Sequence, residues 1–203
     1  ADKILIGSPS YKDYFEQVLK IKNKPIIYVP QPSLLEIDSV KPYSYKGTNN
    51  ILYCGNINRL QLCDMFVPVF KELVNEPVTL HVVGSGRYQK ELMNEIKVNG
   101  LQEKIIMHGP KPALDAAGYI LSADAVLVSL SNKTVVGKTI PEKLIIAMAF
   151  GKPVVALLDG DGFAIAIGAA VYLAIDINNL GSDVHRSSGV DGGFLAVHHV
   201  SDG

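Results

Sequence analysis

Short apolar, β-branched runs alternate with longer segments of helical period along this chain, and no other feature narrows its possible folds as far. The runs are Ile26–Val29, Ile51–Cys54, Val78–Val83, Lys104–His108, Ala125–Ser129 and Pro153–Leu158. Between and before them, apolar residues fall at helical spacing over Tyr11–Lys22, about Leu60–Asn75, Tyr88–Asn99, Ala113–Ser122 and Pro141–Phe150. Strand and helix in strict alternation is the pattern of βαβ units, in which each helix carries the chain back to start a parallel strand. The runs hold few polar residues, as strands do when both faces are covered. The expected class is therefore α/β, with one parallel sheet and helices on both faces.

Local signals sharpen some boundaries. Gly100 and Gly151 stand where a left-handed residue ends a helix, and Pro141 suits a first turn, where its missing N–H costs nothing. Pro68 falls inside the helical pattern over Asp64–Val74 and must either kink that helix or delay its start. Residues 30–50 carry three prolines and little periodicity, so they read as a connector into a domain that begins near residue 48. From Gly181 onward the chain is rich in Gly, Ser, Asp and His, with only Phe194–Val197 to bury, and reads as a frayed end without function.

Composition excludes several classes. Apolar residues make up 48% and charged residues 19%, which supports a buried core. A net charge of −1 leaves no global positive field for a nucleic-acid backbone, so any anion site must be local. Two cysteines, Cys54 and Cys63, make neither a disulfide framework nor a four-ligand zinc site, and read as buried thiols in a reducing compartment. The longest uncharged apolar stretch, Gly162–Ile175, falls short of the roughly 20 residues that span a bilayer. Ala1-Asp2-Lys3 opens no export signal, which leads to the expectation of a cytoplasmic protein, and the absence of an initial Met suggests a piece of a longer one.

In an open parallel sheet, ligands bind beyond the carboxyl ends of the strands. Two loops there carry suitable chemistry. Gly84-Ser85-Gly86 follows a strand and leads into a helix, so its backbone can approach an anion closely; a tight turn with no ligand is the alternative. A dinucleotide fingerprint would need glycine where Gln89 stands. The segment Ser131–Glu142 holds Lys133 and Lys138, leads directly to Lys143, and carries hydroxyls at Ser131, Thr134 and Thr139. It could clamp a diphosphate, lysines supplying full charges beside free helix amides, or be a solvated polar loop. It is no ATPase loop, because Asn132 occupies the position of the required first glycine. Asp159 and Asp161 flank Gly160 as a possible carboxylate pair, but two carboxylates alone make a poor cage, and no metal site is expected. His108 sits at the same rim, either as a ligand contact or as a structural histidine.

Taken as a set, these segments resemble a known family. Ile51-Leu-Tyr-Cys-Gly-Asn-Ile57 with Gln61, Leu80–Gly86, Ile105–Gly109, Ala123–Ser129 and the run Thr139-Ile-Pro-Glu-Lys-Leu144 with Met148-Ala-Phe-Gly-Lys-Pro-Val154 look like the donor half of a GT-B glycosyltransferase. More narrowly they resemble the bacterial family-four-type enzymes of capsule and O-antigen synthesis. The resemblance implies a Rossmann-like sheet forming the C-terminal half of a GT-B fold over residues 48–180, with 1–47 a remnant of the acceptor domain plus connector and 181–203 an irregular tail. It implies a retaining hexosyl- or amino-sugar transferase that uses a UDP-sugar, with no cofactor, no metal and no nucleic-acid partner.

By position, the resemblance sets the base near His108–Lys111, the diphosphate against Lys138, Thr139 and Lys143, and Gly55-Asn56 below the cleft, beside Gly84, Ser85 and Gly86. No catalytic residue is assigned, since a base would come from the acceptor or the absent acceptor domain. Where the family commonly has a ribose-holding glutamate this chain has Ile146, and eight positions earlier, where an acidic residue is frequent, it has Lys138. The implied partners are a lipid-linked glycan acceptor, met at the inner membrane surface, and the missing acceptor domain, without which turnover is not expected. The alternatives are a non-catalytic nucleotide-sugar-binding module and a GT-B-like UDP-sugar epimerase.

Overall fold

A computed structural model of the chain describes residues 2–31, 39–47, 49–168 and 173–176. Its centre is a six-stranded parallel sheet built from β3 (Asn50–Cys54), β4 (Thr79–Val83), β5 (Ile105–Gly109), β6 (Ala125–Ser129), β7 (Val154–Leu158) and β8 (Leu173–Asp176), in the spatial order β5-β4-β3-β6-β7-β8. The chain enters at β3, winds outward through β4 and β5, then returns to the other side of β3 and winds out again. Two hydrophobic cores result, one on each face, because alternate residues of a strand point to opposite sides. Leu52 of β3 joins Val126, Val128, Val154 and Ala156 beneath α4 (Ala113–Ser122), α5 (Glu142–Ala149) and α6 (Gly160–Gly168). Tyr53, next in sequence, joins Leu80, Val82 and Ile105 beneath α2 (Phe66–Glu72) and α3 (Gln89–Val98). This is the doubly wound, Rossmann-like arrangement.

Several expectations are corrected. Ile26–Tyr28 (β2) is not in the main sheet; it pairs in parallel with β1 (Ile4–Ile6) as a separate two-stranded unit, joined through α1 (Tyr11–Asp13), which continues as a π-helical turn over Tyr14–Val18. The sixth main strand is β8, which lies in the apolar stretch that carried no strand assignment. The helix α6 was also missed: Asp159-Gly-Asp161 has the composition of a turn, and the apolar residues that follow show no amphipathic period to betray a helix. The helix expected over Leu60–Asn75 is broken. Arg59–Gln61 and Cys63–Met65 form 3₁₀ turns around Leu62, whose φ is +54°, and α2 starts only at Phe66. Pro68 thus sits in the first turn of a delayed helix, where a missing N–H loses no bond. Pro141 is the residue just before α5, and Gly100 and Gly151 take positive φ after α3 and α5. The tail from Gly181 lies outside the described residues.

Part of the connector is tied to the domain. The Tyr43 amide donates to the Gly118 carbonyl at 3.1 Å, and the Tyr45 hydroxyl to the Tyr119 carbonyl at 2.8 Å. Tyr43 stacks on Tyr119 at 3.9 Å between ring centres, so residues 41–45 form a strap across α4.

Candidate functional site

Strands β3 and β6 are neighbours from which the chain winds in opposite directions, and the crevice beyond their carboxyl ends is where such sheets take ligands. Two clefts open there. The larger, about 520 Å³, is bounded by Cys54–Asn56 after β3, Val83–Gly86 after β4, and Pro110, Lys111 and Ala116 beyond β5. The smaller, about 330 Å³, lies between Cys54–Asn56, Gln61, Leu130, Val136 and the start of α5, where Thr139, Pro141, Glu142, Lys143 and Ile146 line it. Cys54, Gly55 and Asn56 belong to both, so the two clefts form one groove along the strand ends.

The floor of this groove explains the glycines. The loops after β3 and β4 run side by side, with the Gly55 amide donating to Val83, Ile57 to Ser85, and Tyr88 back to Ile57. A Cβ on Gly84 would stand 1.9 Å from the Gly55 carbonyl oxygen, and one on Gly86 would stand 2.1 Å from that of Ile57. Gly84 also has a φ of +137°, which side chains disfavour. The Gly84 amide itself donates to the Gly109 carbonyl at 3.0 Å. These glycines therefore seat one loop on another and bring the backbone to the cleft wall.

Lys143 dominates the smaller cleft. Its ammonium donates to the Gln61 side-chain oxygen, lies 3.4 Å from the Tyr53 hydroxyl and 4.6 Å from the centre of the Tyr53 ring, and rests above Gly55. All of these partners are neutral. Burial without a carboxylate penalises the charged form and lowers the Lys143 pKa to about 8. Burial pushes the Cys54 thiol up in turn, so it stays protonated. Gln61 reaches Lys143 because Arg59–Gln61 is pinned against the end of β6: the Ser129 hydroxyl donates to the Gln61 carbonyl at 2.6 Å, and the Ser131 amide to the Leu60 carbonyl at 2.7 Å.

Of the residues singled out in the sequence, Gly55, Asn56, Gly84, Ser85, Gly86 and Lys111 line the larger cleft, and Thr139 and Lys143 the smaller. Two do not line either. His108 turns into a row of rings: its Nε2 is 2.9 Å from His81 Nδ1 and its Nδ1 is 3.4 Å from the Tyr119 hydroxyl. Lys138 is exposed, and its backbone carbonyl accepts from the Ser10 hydroxyl at 3.3 Å. The Thr139 hydroxyl donates to Val136 at 2.7 Å. Asp159 accepts from the Gly160 amide and Asp161 from the Ser10 amide, at 2.6 and 2.7 Å. Among the described residues no three His, Cys, Asp or Glu side chains gather as metal ligands, and no helix is long and apolar enough to cross a membrane.

Sequence reasoning missed Tyr53, Cys54 and the Lys143–Gln61 contact, which joins residues 82 positions apart. It also missed Ser8, which accepts from the Ile140 amide at 2.7 Å at the mouth of α5. No local signal marks such pairs.

The family described as Glycosyl transferases group 1 matches residues 48–180. Solved structures share the fold at low identity. The Anabaena protein HepE, in complex with UDP and glucose, superposes with a TM-score of 0.66 at 17% identity, over 85% of this chain and 48% of that one. The pneumococcal O-GlcNAc transferase GtfA, in complex with UDP and GlcNAc, gives 0.61 at 14%, over 93% and 35%. The lipopolysaccharide outer core galactosyltransferase WaaB gives 0.52 at 21%, over 80% and 44%. The chain thus spans half or less of the length of these structures. No curated protein matches it.

Proposed function

The chain belongs to the group 1 glycosyl transferases, and from that premise we propose that it is the donor-binding, C-terminal half of a retaining GT-B transferase that takes a UDP-sugar. The observation that carries this reading is the Lys143 ammonium, held by neutral groups in a groove at the switch point of the sheet. In the proposed pose the nucleoside occupies the larger cleft near Lys111, and the diphosphate lies across Gly55 and Asn56 toward Thr139 and Lys143. Negative charge grows on the departing diphosphate as the glycosidic bond of the donor breaks. A cation already fixed beside that position stabilises the transition state more than the ground state, because no reorganisation is needed at that moment. Lys143 supplies that charge; amides at the start of α5 add partial positive charge.

Residues 1–47 then represent the end of an acceptor domain with its connector, and the chain alone binds donor without turnover. The full-length protein would hand the sugar to a lipid-linked glycan of capsule or O-antigen at the inner face of the membrane, with the acceptor bound to the part of the protein that this chain does not span. The HepE and GtfA structures, both in complex with UDP, support the nucleotide assignment. Ile146 lines the smaller cleft where the resemblance implies a ribose-binding glutamate, so donor affinity should lie below that of members that carry the acid.

Calorimetric titration with UDP tests the reading. Lys143→Ala should weaken binding by about 1.5–3 kcal/mol, the worth of a hydrogen bond to a charged group. An unchanged dissociation constant would place the diphosphate elsewhere.

A further inference from the structure

Lys143 differs from the other lysines of the binding loops in what surrounds it. Its Nζ meets an amide oxygen, a phenol and an aromatic face, and none of the described carboxylates lies within ion-pair distance. It is also reachable, since it lines a cleft of about 330 Å³ that continues into a larger one. Lys133 and Lys138 are exposed to water instead. An ammonium in such a setting loses its proton more readily than a hydrated one, and a desolvated lysine amine is a nucleophile toward carbonyl carbon.

We propose that Lys143 is a covalent capture site for small anionic aldehydes, which it binds as imines. The Nζ lone pair attacks the aldehyde carbon and a C–N bond forms. The carbinolamine then loses its oxygen as water, both hydrogens coming from the nitrogen or from solvent, and leaves C=N. No electrons are transferred, and hydrolysis reverses the reaction. Lys111 in the adjoining cleft favours an anionic aldehyde, with Cys54 and Gly55 between the two uncharged; the opposing charge is the Glu142 carboxylate, which lines the Lys143 cleft from an exposed position. At pH 8 about half of the Lys143 amines are neutral, against well under about 1% of an ordinary lysine with a pKa of about 10.4. The lower basicity of the amine offsets part of that advantage.

The probe is pyridoxal 5′-phosphate, incubated with the 203-residue chain at pH 8, with the imine fixed by borohydride as hydride donor and the labelled lysines mapped by peptide mass spectrometry. Lys143 should be labelled roughly tenfold faster than Lys133 or Lys138, with a pH midpoint near 8. Labelling spread over the exposed lysines, with Lys143 no faster than the rest, would overturn the proposal, and this comparison needs only the unaltered chain. Lys143→Arg keeps a charge but has no nucleophilic amine at this pH, and should lose the fast phase with circular dichroism unchanged. The donor-site reading is tested separately by adding UDP. Fast labelling that UDP does not slow leaves the capture site standing and counts against the donor site; slow labelling in a chain that binds UDP does the reverse.

Discussion

His81 Nδ1 lies 2.9 Å from His108 Nε2 with the two rings stacked at 20°, and this contact fixes the protonation of a whole row of groups. The Asn50 amide nitrogen donates to Gly47 and to Asp124, which turns its oxygen toward His81 Nε2 at 3.0 Å. His81 must then donate from Nε2 and accept at Nδ1, His108 must donate from Nε2, and His108 Nδ1 is left to accept from the Tyr119 hydroxyl. Tyr43 and Tyr45 of the connector pack on the same rings. A proton added at His81 Nδ1 would put two N–H groups face to face, and one added at His108 Nδ1 would displace the hydroxyl hydrogen that Tyr119 points at it.

Acid should therefore destabilise the fold. Burial, with a further push from His108, lowers the His81 pKa from 6.5 to about 4; burial and Lys111 lower that of His108. Above pH 6.5 the histidines are neutral in both states and their contribution is constant. Between 6.5 and about 4 the unfolded chain takes up the proton first, so stability falls as pH falls. His81, only 3% exposed, accounts for up to about 3 kcal/mol. Urea titrations at pH 7 and pH 4.5 should show His81→Gln losing less stability than the parent over that interval; parallel losses would mean the row is not under this strain.

Gly84→Ala should cost about 3 kcal/mol or more, since its Cβ would meet the Gly55 carbonyl at 1.9 Å and the backbone on both sides is fixed by hydrogen bonds. Gly100→Ala has open space around it and carries only the left-handed penalty, about 1 kcal/mol. Denaturation midpoints of the two variants should separate clearly. Equal values would show that the loop after β3 yields.

These cases mark what was legible beforehand. The strands of the main sheet up to β7 could be read because each is a short apolar run between helical periods, and β3, β4 and β5 follow that pattern closely. By contrast β2 looked like another member of the sheet, since pairing partners leave no mark on a three-residue strand such as Ile26–Tyr28. The glycines of the site were recognisable as close-approach positions, but not what they approach, which in Gly84 is another loop. Lys143 and Lys138 looked alike in sequence; only the fold sets one over Tyr53 and leaves the other in water. His108 could be placed at the rim from its strand, yet its orientation depends on His81, Tyr119 and Asn50, brought together by three separate elements.

The strap at Tyr43–Tyr45 should detach when Gly118 acquires a side chain. A Cβ there would stand 2.3 Å from the Lys41 carbonyl oxygen, and the helix behind it is buried and cannot retreat. Gly118→Ala should speed tryptic cleavage after Lys46, the cleavable site of the strap since Lys41 precedes Pro42, by roughly tenfold, equivalent to about 1.4 kcal/mol of lost local stability. Tyr45→Phe, which forfeits only the bond to the Tyr119 carbonyl, should act in the same direction and less strongly. Cleavage unaltered in both would mean that the strap contributes nothing to its own protection.

The two lysines of the α5 entrance should part company in UDP binding. Lys138 is exposed, lines neither cleft, and is anchored through its backbone by Ser10 and by the close approach of Gly160. Its charge acts through water, so Lys138→Ala should change the UDP dissociation constant by less than about 0.5 kcal/mol, roughly twofold. Gln61→Leu leaves the Lys143 charge in place but removes the oxygen that holds it over Gly55. That substitution should weaken UDP by about 1 kcal/mol and steepen the loss of binding above pH 8, because an ammonium with one acceptor fewer deprotonates more easily. Calorimetry at pH 7 and pH 9 separates the cases: a Lys138→Ala defect as large as that of Lys143→Ala would move the diphosphate from the groove floor to the exposed loop.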